Sequence, residues 1–242
     1  MPPHTRKPDE TIKQRVYRTL RASIMCGDVE PGRAITIHGV AADLGVGAMP
    51  VREALHRLVA DGALEYLDNR RVRVPRMTSV KFDEIIAARV ALETLAAERA
   101  LSGIDAERLD LLEEIDQEID SAHIRNDIPR ATERNFAFHR AIYEAGNNAV
   151  ILALLETVWL RLGPFMRLAT SNLSESYRID RHAEALAAIK VGSAAALTAA
   201  IEADIRDGLG HLYEFLRARG PVETNTDWPA GQRPSPDIID AT

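Results

Sequence analysis

The sequence predicts a mainly α-helical protein, an N-terminal winged helix-turn-helix followed by an all-α antiparallel bundle of six helices. Two helices, a tight turn, a third helix and a hairpin pattern follow one another within residues 11–76. After Val80 only helical periodicity is found. Residues 1–77 carry 13 Lys and Arg against 9 Asp and Glu, whereas residues 78–242 carry 17 against 27. A basic head on an acidic body is typical of a DNA-binding module joined to another domain.

The head is predicted to span residues 11–76. In "TIKQRVYRTLRASIM" one helical stripe is apolar, and "CGDVEPGRAI" then ends the helix with glycine and proline. A short helix is expected from Ile37 to Leu44 and a second from Pro50 to Asp61. The stretch "ALEYLDNRRVRV" alternates apolar and polar residues, which predicts a hairpin. In a winged helix-turn-helix, the second helix of the pair enters the major groove of DNA.

The body is predicted to span residues 80–219. Gly, Asn, Ser and Pro positions separate six helical segments, at roughly 80–101, 105–125, 128–145, 148–170, 174–190 and 193–217. Short connections between successive helices favour an antiparallel bundle. Residues 1–10 and 220–242 are expected to be disordered tails, since the C-terminal one is rich in Pro, Gly and small polar residues.

Composition excludes several classes of protein. Hydrophobic residues make up 46% of the chain, which is ample for a buried core, and the single cysteine, Cys26, cannot form a disulfide within the chain. An uninterrupted apolar run long enough for a membrane span is lacking, and so is the apolar segment of an export signal. A cytoplasmic protein that is not held in a membrane is therefore expected.

The segments "IMCGDVEPGRAI", "VAADLGVGAMPVREALHRLVADGALEYL" and "RRVRVP" resemble the DNA-binding domain of GntR-type bacterial transcription regulators. That family has a Gly-x-x-x-Pro-Gly turn before the helix pair and Pro-Val-Arg-Glu-Ala-Leu at the start of its recognition helix. The helical body resembles the FCD ligand-binding domain of the FadR subfamily, and six helices rather than seven favour its shorter, VanR-like branch. The resemblance implies a homodimer that binds a palindromic operator and responds to a small effector.

The resemblance assigns a base-contacting role to Arg52. Its guanidinium can pair with both guanine acceptors in the major groove. Cationic residues expected to meet phosphate or the minor groove, or to remain solvated surface charges, are Arg33, His38, His56, Arg57, Arg70 and Arg71. The recognition helix opens on Ala48, Met49 and Pro50. Because Gly47 and Ala48 replace the family's usual Ser/Thr-Arg, the operator is expected to differ from those of its relatives.

Polar residues interrupt apolar helix faces in the body. Asn135 and His139 are four residues apart on one helix, and His182 and Asp204 lie on two others. One inward histidine is usually a hydrogen-bonded core residue, but burying several such groups without partners would be costly. In FCD domains a carboxylate or amide, the histidine four residues later and two further histidines bind a divalent metal. The resemblance places these four residues on that set, with Asp204 where the family has histidine. Zn²⁺ is expected first, with Ni²⁺ or Mn²⁺ as alternatives.

The same resemblance implies a carboxylate effector near the metal. Arg89 matches an inward arginine of the first FCD helix, and a bidentate guanidinium suits a carboxylate. Arg161 is expected to be a second wall contact or, alternatively, an outward salt-bridge partner. His211 lies seven residues after Asp204, near the same helix face. A small organic acid is therefore the expected ligand.

Two other functions are weighed against a regulator. A metal-dependent hydrolase would need a general base beside the metal, but neither Glu144 nor Glu202 has a suitable spacing, and H-E-x-x-H, P-loop and Gly-x-Ser-x-Gly motifs are missing. A nonspecific DNA-binding protein would need a broad cationic surface, which an acidic body does not offer. A ligand-responsive repressor without enzymatic activity is the favoured interpretation.

Overall fold

A computed structural model of the chain describes residues 10–68, 71–166 and 181–222, without the side chains of residues 211 and 219. Arg70, the side chain of His211, residues 1–9 and residues 223–242 therefore lie outside the described part. Of the predicted C-terminal tail, residues 220–222 are described. Val222 pairs with Met77 through two backbone hydrogen bonds.

The head contains three helices and a small antiparallel sheet. These elements are α1 (Ile12–Met25), β1 (Ile35–Thr36), α2 (Ile37–Asp43), α3 (Ala48–Ala60), β2 (Glu65–Tyr66) and β3 (Arg71–Arg73). Side chains of Thr11 and Thr36 cap the first two helices, and the predicted hairpin is formed by β2 and β3 with Tyr66 opposite Val72. β1 pairs with the other edge of β3 and was not predicted, because a two-residue strand has no alternating pattern.

The body is helical throughout its described residues. Its helices are α4 (Ser79–Ala100), α5 (Ala106–Ile124), α6 (Ile128–Glu144), α7 (Ala149–Leu162), α8 (Arg181–Lys190), α9 (Ala194–Asp207) and α10 (Gly210–Arg219). Side chains of Thr78, Asp105, Asp127 and Ser193 cap four of these helices. The predicted fold class, a winged helix-turn-helix followed by a helical domain, is confirmed. No helix in the described ranges is both long and apolar enough to cross a bilayer.

Two predicted helix boundaries differ from the structure. The helix expected over 193–217 is interrupted at Gly208 and Leu209, because glycines at 208 and 210 weaken helix formation on both sides of the buried leucine. The helix expected over 148–170 ends at Leu162, where Gly163 and Pro164 start a short 3₁₀ turn. The described part of the body thus has seven α-helices instead of six. The number of helices therefore no longer favours the shorter, VanR-like branch of the FCD domains.

The head and the body share one continuous hydrophobic core. α1 packs against α7 and against the turn Gly163–Phe165 that follows it. A Cβ atom at residue 163 would lie 2.5 Å from the Cα atom of Met25, so only glycine allows the end of α1 to approach this closely. Arg21 on α1 also pairs with Glu156 on α7 at 3.0 Å. These contacts attach the DNA-binding head to one particular helix of the body.

Candidate metal centre and nucleic-acid interface

Three helices bring two histidines and an aspartate together inside the body. His139 comes from α6, His182 from α8 and Asp204 from α9, and their ligand atoms all lie within 4.8 Å of one another. The Nε2 atom of His139 is 3.0 Å from Asp204 Oδ2, and that of His182 is 3.7 Å from Asp204 Oδ1. Both imidazoles are 1% exposed. Residues that the sequence predicted as ligands therefore converge on one buried point.

The His182 ring is held from two directions. Its Nδ1 atom lies 2.9 Å from Asp116 Oδ1 on α5, and its face stacks on Phe138 with ring centroids 4.3 Å apart. A carboxylate can only accept this hydrogen bond, so Nδ1 is the protonated nitrogen. The unprotonated Nε2 atom then presents its lone pair to Asp204.

The His139 ring is held through a tyrosine. Its Nδ1 atom lies 3.2 Å from the Tyr143 hydroxyl, and that hydroxyl donates to Glu93 Oε2 at 2.9 Å. Burial and then the Glu93 carboxylate raise the pKa of Tyr143 well above its usual 10, so the phenol keeps its proton. Because the tyrosine proton is directed to Glu93, the oxygen accepts from His139, whose Nε2 atom is left with a lone pair.

This donor set fits a divalent cation. The buried Nε2 atom of His139 has no properly oriented hydrogen bond to any described residue, although Asp204 Oδ2 is only 3.0 Å away. A lone pair and a carboxylate oxygen repel each other at that distance unless a positive centre lies between them. Zn²⁺ binds N and O ligands at about 2.0–2.2 Å in tetrahedral geometry, which separates two ligand atoms by roughly 3.4 Å. The observed separations of 3.0 and 3.7 Å bracket that value.

The Asp204 carboxylate is ionised under all ordinary conditions. Burial raises the pKa of this carboxyl, but the neighbouring His139, His182 and Arg89 side chains lower it overall, to about 2. Asn135 lies one turn before His139 on α6, with its Nδ2 atom 3.5 Å from His182 Nε2. Rotation of the amide by half a turn would direct Oδ1 to the same point. All four predicted ligands are therefore adjacent.

Arg89 lies beside this centre, but it already has a carboxylate partner. Its Nε atom donates to Glu93 Oε1 at 2.6 Å, and both side chains are buried. Glu93 also accepts from Trp159 Nε1 at 2.9 Å, in addition to the Tyr143 hydroxyl. Within the described residues, the two terminal amino groups of Arg89 make no hydrogen bond. They remain available to a second carboxylate.

Arg161 does not reach the centre. It is exposed on α7 and donates from Nε to the backbone carbonyl of Asp61 at 3.0 Å. A Cβ atom at Gly62 would lie 2.8 Å from its guanidinium, and the φ of +74° at that residue also favours glycine. Arg161 was expected either to line the pocket or to face outward as a salt-bridge partner, and the structure places it against the end of α3 in the head. His211 belongs to α10, but its side chain is outside the described part.

The recognition helix α3 presents one unengaged guanidinium to solvent. Arg52 is exposed and makes no ion pair with any described residue, whereas its neighbour Glu53 pairs with Lys13 at 2.7 Å. Gly47 begins the helix without a side-chain cap, and Ala48 and Pro50 are half-buried. Met49 is exposed beside them. The start of α3 thus offers a small apolar surface followed by a cation.

Other predicted DNA-contacting residues have partners within the head. The Arg57 guanidinium lies 3.9 Å from the centre of the Tyr17 ring, and His56 Nδ1 is 2.6 Å from the Tyr66 hydroxyl in the wing. Arg71 forms an ion pair with Asp68 at 2.6 Å. His38 is exposed on α2, and Arg33 is half-buried just before β1. His56 and Arg57 lie on α3 itself, and three of these residues make side-chain contacts within the head.

Four residues of the centre were not predicted from the sequence: Asp116, Glu93, Tyr143 and Trp159. Glu93 follows Arg89 by four residues, a spacing that does favour an ion pair on one helix. Tyr143 follows His139 by the same interval. Asp116 belongs to the acidic stretch "LLEEIDQEID", where composition alone does not distinguish a half-buried carboxylate with a histidine partner from solvated ones.

Comparison with known proteins matches two parts of the chain to family models. Residues 12–74 match the family model "Bacterial regulatory proteins, gntR family", and residues 84–207 match the FCD domain. The HTH-type transcriptional regulator McbR of Escherichia coli is 29% identical over 154 residues, which cover 64% of this chain and 70% of that protein. The gluconate operon transcriptional repressor of Bacillus subtilis is 27% identical over 231 residues, covering 88% of this chain and 91% of that protein.

The fold has a solved counterpart. The structure of E. coli McbR/YncC superposes with a TM-score of 0.80 at 25% identity, covering 85% of this chain and 98% of that one. These relatives are transcription regulators, and the family is one of regulators rather than enzymes, so the metalloenzyme interpretation is set aside. This chain belongs to the GntR family of bacterial transcription regulators, with an FCD domain behind its winged helix-turn-helix head.

Proposed function

We propose that this protein is a ligand-responsive repressor. Residues 11–76 bind a palindromic operator as part of a homodimer, and residues 80–219 bind a small carboxylate at a divalent metal and carry the dimer contacts. The observation that carries this proposal is the convergence of His139, His182 and Asp204 inside a domain whose helix α7 packs against the DNA-binding head. Such a regulator acts in the cytoplasm, on chromosomal DNA.

The metal in this proposal is Zn²⁺, with Ni²⁺ and Mn²⁺ as alternatives for the same donors. His139 and His182 provide neutral imidazole nitrogens, Asp204 provides a carboxylate oxygen, and Asn135 provides an amide oxygen after rotation. When bound, the cation supplies a positive centre that attracts a carboxylate oxygen of the effector. Asp204 in place of a neutral histidine adds one negative charge, which balances part of the cation's charge.

Arg89 is the second proposed effector contact. Its Nε atom is fixed by Glu93, which orients the guanidinium and leaves the terminal amino groups unengaged among the described residues. Two parallel hydrogen bonds from such a group suit a carboxylate. A relative that represses a gluconate operon supports an organic acid as the ligand class, since gluconate is itself a hydroxy acid.

Helix α7 is the proposed connection between the centre and the head. Trp159 donates to Glu93 beside the metal site, and Arg161, two residues later, donates to Asp61 at the end of the recognition helix. Glu156 on the same helix accepts from Arg21 in α1 and from Arg140, which directly follows His139. A ligand that shifts Glu93 or α6 therefore displaces residues that support the recognition helix.

Base recognition is proposed for Arg52, with Ala48 and Met49 meeting thymine methyl groups. A solvent-exposed guanidinium without an intramolecular partner loses no ion pair when it binds guanine. Arg33, His38, His56, Arg57, Arg70 and Arg71 are proposed to contact phosphates or the minor groove. Because Ala48 cannot replace a long cation, the preferred operator differs from those of relatives with arginine there.

The test combines operator selection with a ligand screen. Random duplexes are selected on the full-length protein, and the enriched sequence is expected to be an inverted repeat bound by two copies of the chain. Gluconate and other small carboxylic acids are then added with and without Zn²⁺, while melting temperature and operator affinity are measured. A ligand of the native state raises the melting temperature by mass action. Lack of an enriched duplex would refute DNA recognition, and an enriched duplex that no acid releases would refute the carboxylate effector.

A further inference from the structure

We infer that Asp116 and the Tyr143–Glu93 pair are positioning residues for the metal centre, because they fix the tautomer and the orientation of both histidine ligands. This inference rests on the metal site proposed above and concerns residues outside its ligand set. Each group contacts the Nδ1 side of one imidazole, the side that faces away from Asp204. The two imidazoles are thereby prepared to bind one cation through Nε2.

Asp116 acts on His182 directly. The two side chains come from α5 and α8, and the carboxylate oxygen is 2.9 Å from Nδ1. Stacking on Phe138 restrains rotation of the ring out of its plane, and the hydrogen bond restrains rotation within it. A carboxylate behind a histidine also makes the opposite nitrogen a stronger electron-pair donor, as it does in known carboxylate–histidine–zinc arrangements.

Tyr143 contacts His139 directly, and Glu93 acts on His139 through Tyr143. Glu93 is fully buried and accepts from Arg89 and Trp159, so its carboxylate is held in place from α4 and α7. Glu93 accepts a hydrogen bond from the Tyr143 hydroxyl. The phenol oxygen can therefore accept a hydrogen bond from His139 Nδ1. Without that acceptor, the buried imidazole would gain more by protonating Nε2 and donating to Asp204.

The two arrangements differ in strength. Asp116 is a charged acceptor at 2.9 Å, whereas Tyr143 is a neutral acceptor at 3.2 Å. Hydrogen bonds to an ionised group are shorter and stronger than those to a neutral one. Loss of the Asp116 carboxylate should therefore weaken metal binding more than loss of the Tyr143 hydroxyl does.

The first experiment reads the tautomers without metal. Long-range ¹H–¹⁵N correlation spectra of the metal-free, full-length protein distinguish a protonated Nδ1 from a protonated Nε2, and His139→Ala and His182→Ala assign the signals. We expect protonated Nδ1 on both histidines. Asp116→Ala should change the signal of His182 only, and Tyr143→Phe that of His139 only. Protonated Nε2 on either ring of the unsubstituted protein, or signals that neither substitution changes, would overturn the inference.

The second experiment measures Zn²⁺ affinity by competition with a chromogenic chelator. Asp116→Asn is expected to weaken binding by about 10- to 100-fold, which is usual when an outer carboxylate is lost, and Tyr143→Phe by a smaller factor. Asp110→Asn, an exposed aspartate on the same helix, is the matched control and should change nothing. Failure of the unsubstituted protein to bind Zn²⁺, Ni²⁺ or Mn²⁺ would refute the metal site itself. Normal affinity in both variants would refute only the positioning role.

Discussion

Arg161 on α7 donates a hydrogen bond to the backbone carbonyl of Asp61, the residue that follows the recognition helix α3. A side chain of the FCD domain thus contacts the DNA-binding head at the end of its recognition helix. On the same helix, Trp159 contacts the buried Glu93 carboxylate. The same helix, α7, therefore contacts both the surroundings of the candidate metal centre and the DNA-binding head.

Arg161→Ala should uncouple ligand binding from DNA release. Coupling between two sites is typically worth about 1–3 kcal/mol, and we expect most of it to disappear while operator affinity without ligand changes little. The measurement is operator affinity by fluorescence anisotropy, with and without the acid that the screen identifies. Arg206→Ala, on the surface of α9, is the control. Full ligand response in the Arg161 variant would exclude this contact as the connection.

Arg52→Ala should reduce base discrimination by about 1–3 kcal/mol at one position of each half-site. The guanidinium is the group that we propose contacts a base, so the loss should vanish on duplexes altered at that base pair. Arg71→Ala, whose guanidinium pairs with Asp68, should instead weaken all duplexes to a similar extent. Both variants are measured on the selected operator and its single-pair substitutions. Equal losses on every duplex for Arg52→Ala would contradict base reading.

Replacement of both His139 and His182 by alanine should abolish metal binding and leave the helical fold intact. Elemental analysis after purification without chelator measures the bound metal, and circular dichroism measures the fold. A ligand present at 100 times its Kd stabilises the native state by about 2.7 kcal/mol. Chelator should therefore lower the melting temperature of the unsubstituted protein and not that of the double variant. An equal effect of chelator on both proteins would place the metal elsewhere.

Glu93→Leu should destabilise the protein by about 3–5 kcal/mol, since it leaves the Arg89 cation buried without its partner. Arg89→Met combined with Glu93→Leu removes both charges and should recover part of this loss. Urea unfolding of the two single variants and the double variant gives the interaction free energy. If the decrease in the free energy of unfolding of the double variant equalled the sum of the decreases in the two single variants, the two side chains would not be coupled.

The same pair predicts a pH dependence. Burial raises the pKa of Glu93, but the Arg89 cation lowers this pKa by more, so the folded value lies below the usual 4.5. The ionised carboxylate therefore adds stability that is complete above pH 4.5 and is lost as the pH falls through the folded pKa. In metal-free protein, the Glu93→Leu variant should lose less stability than the unsubstituted chain over that acid range. A parallel decline in both would contradict the shift.

Much of the fold could be predicted from the sequence, because helix caps, glycine breaks and apolar periodicity act locally. The four proposed metal ligands could also be selected from the sequence, since Asn135 and His139 share a helix face and His182 and Asp204 interrupt apolar faces. The partners of those ligands could not. Asp116 is 66 residues from His182, and Trp159 is 66 residues from Glu93, so only the packing of the helices brings each pair together.

The position of Arg161 illustrates the same limit. An arginine within an apolar helix can face a ligand cavity or another domain, and local pattern does not distinguish these alternatives. The answer depends on how α7 packs against the head, which in turn depends on the close approach of Gly163 to Met25. Tertiary contacts between distant residues thus decided the role of a side chain that the sequence could only place on a helix.

The pairing of Met77 with Val222 has a consequence for the order of folding. Met77 lies at the end of the head, and the residue that pairs with its backbone is synthesised after all seven described helices of the body. Until residue 222 has been synthesised, the segment joining the two domains therefore lacks this partner. The head can form its own sheet and helices early, but its attachment to the body is completed only after α10 has been made.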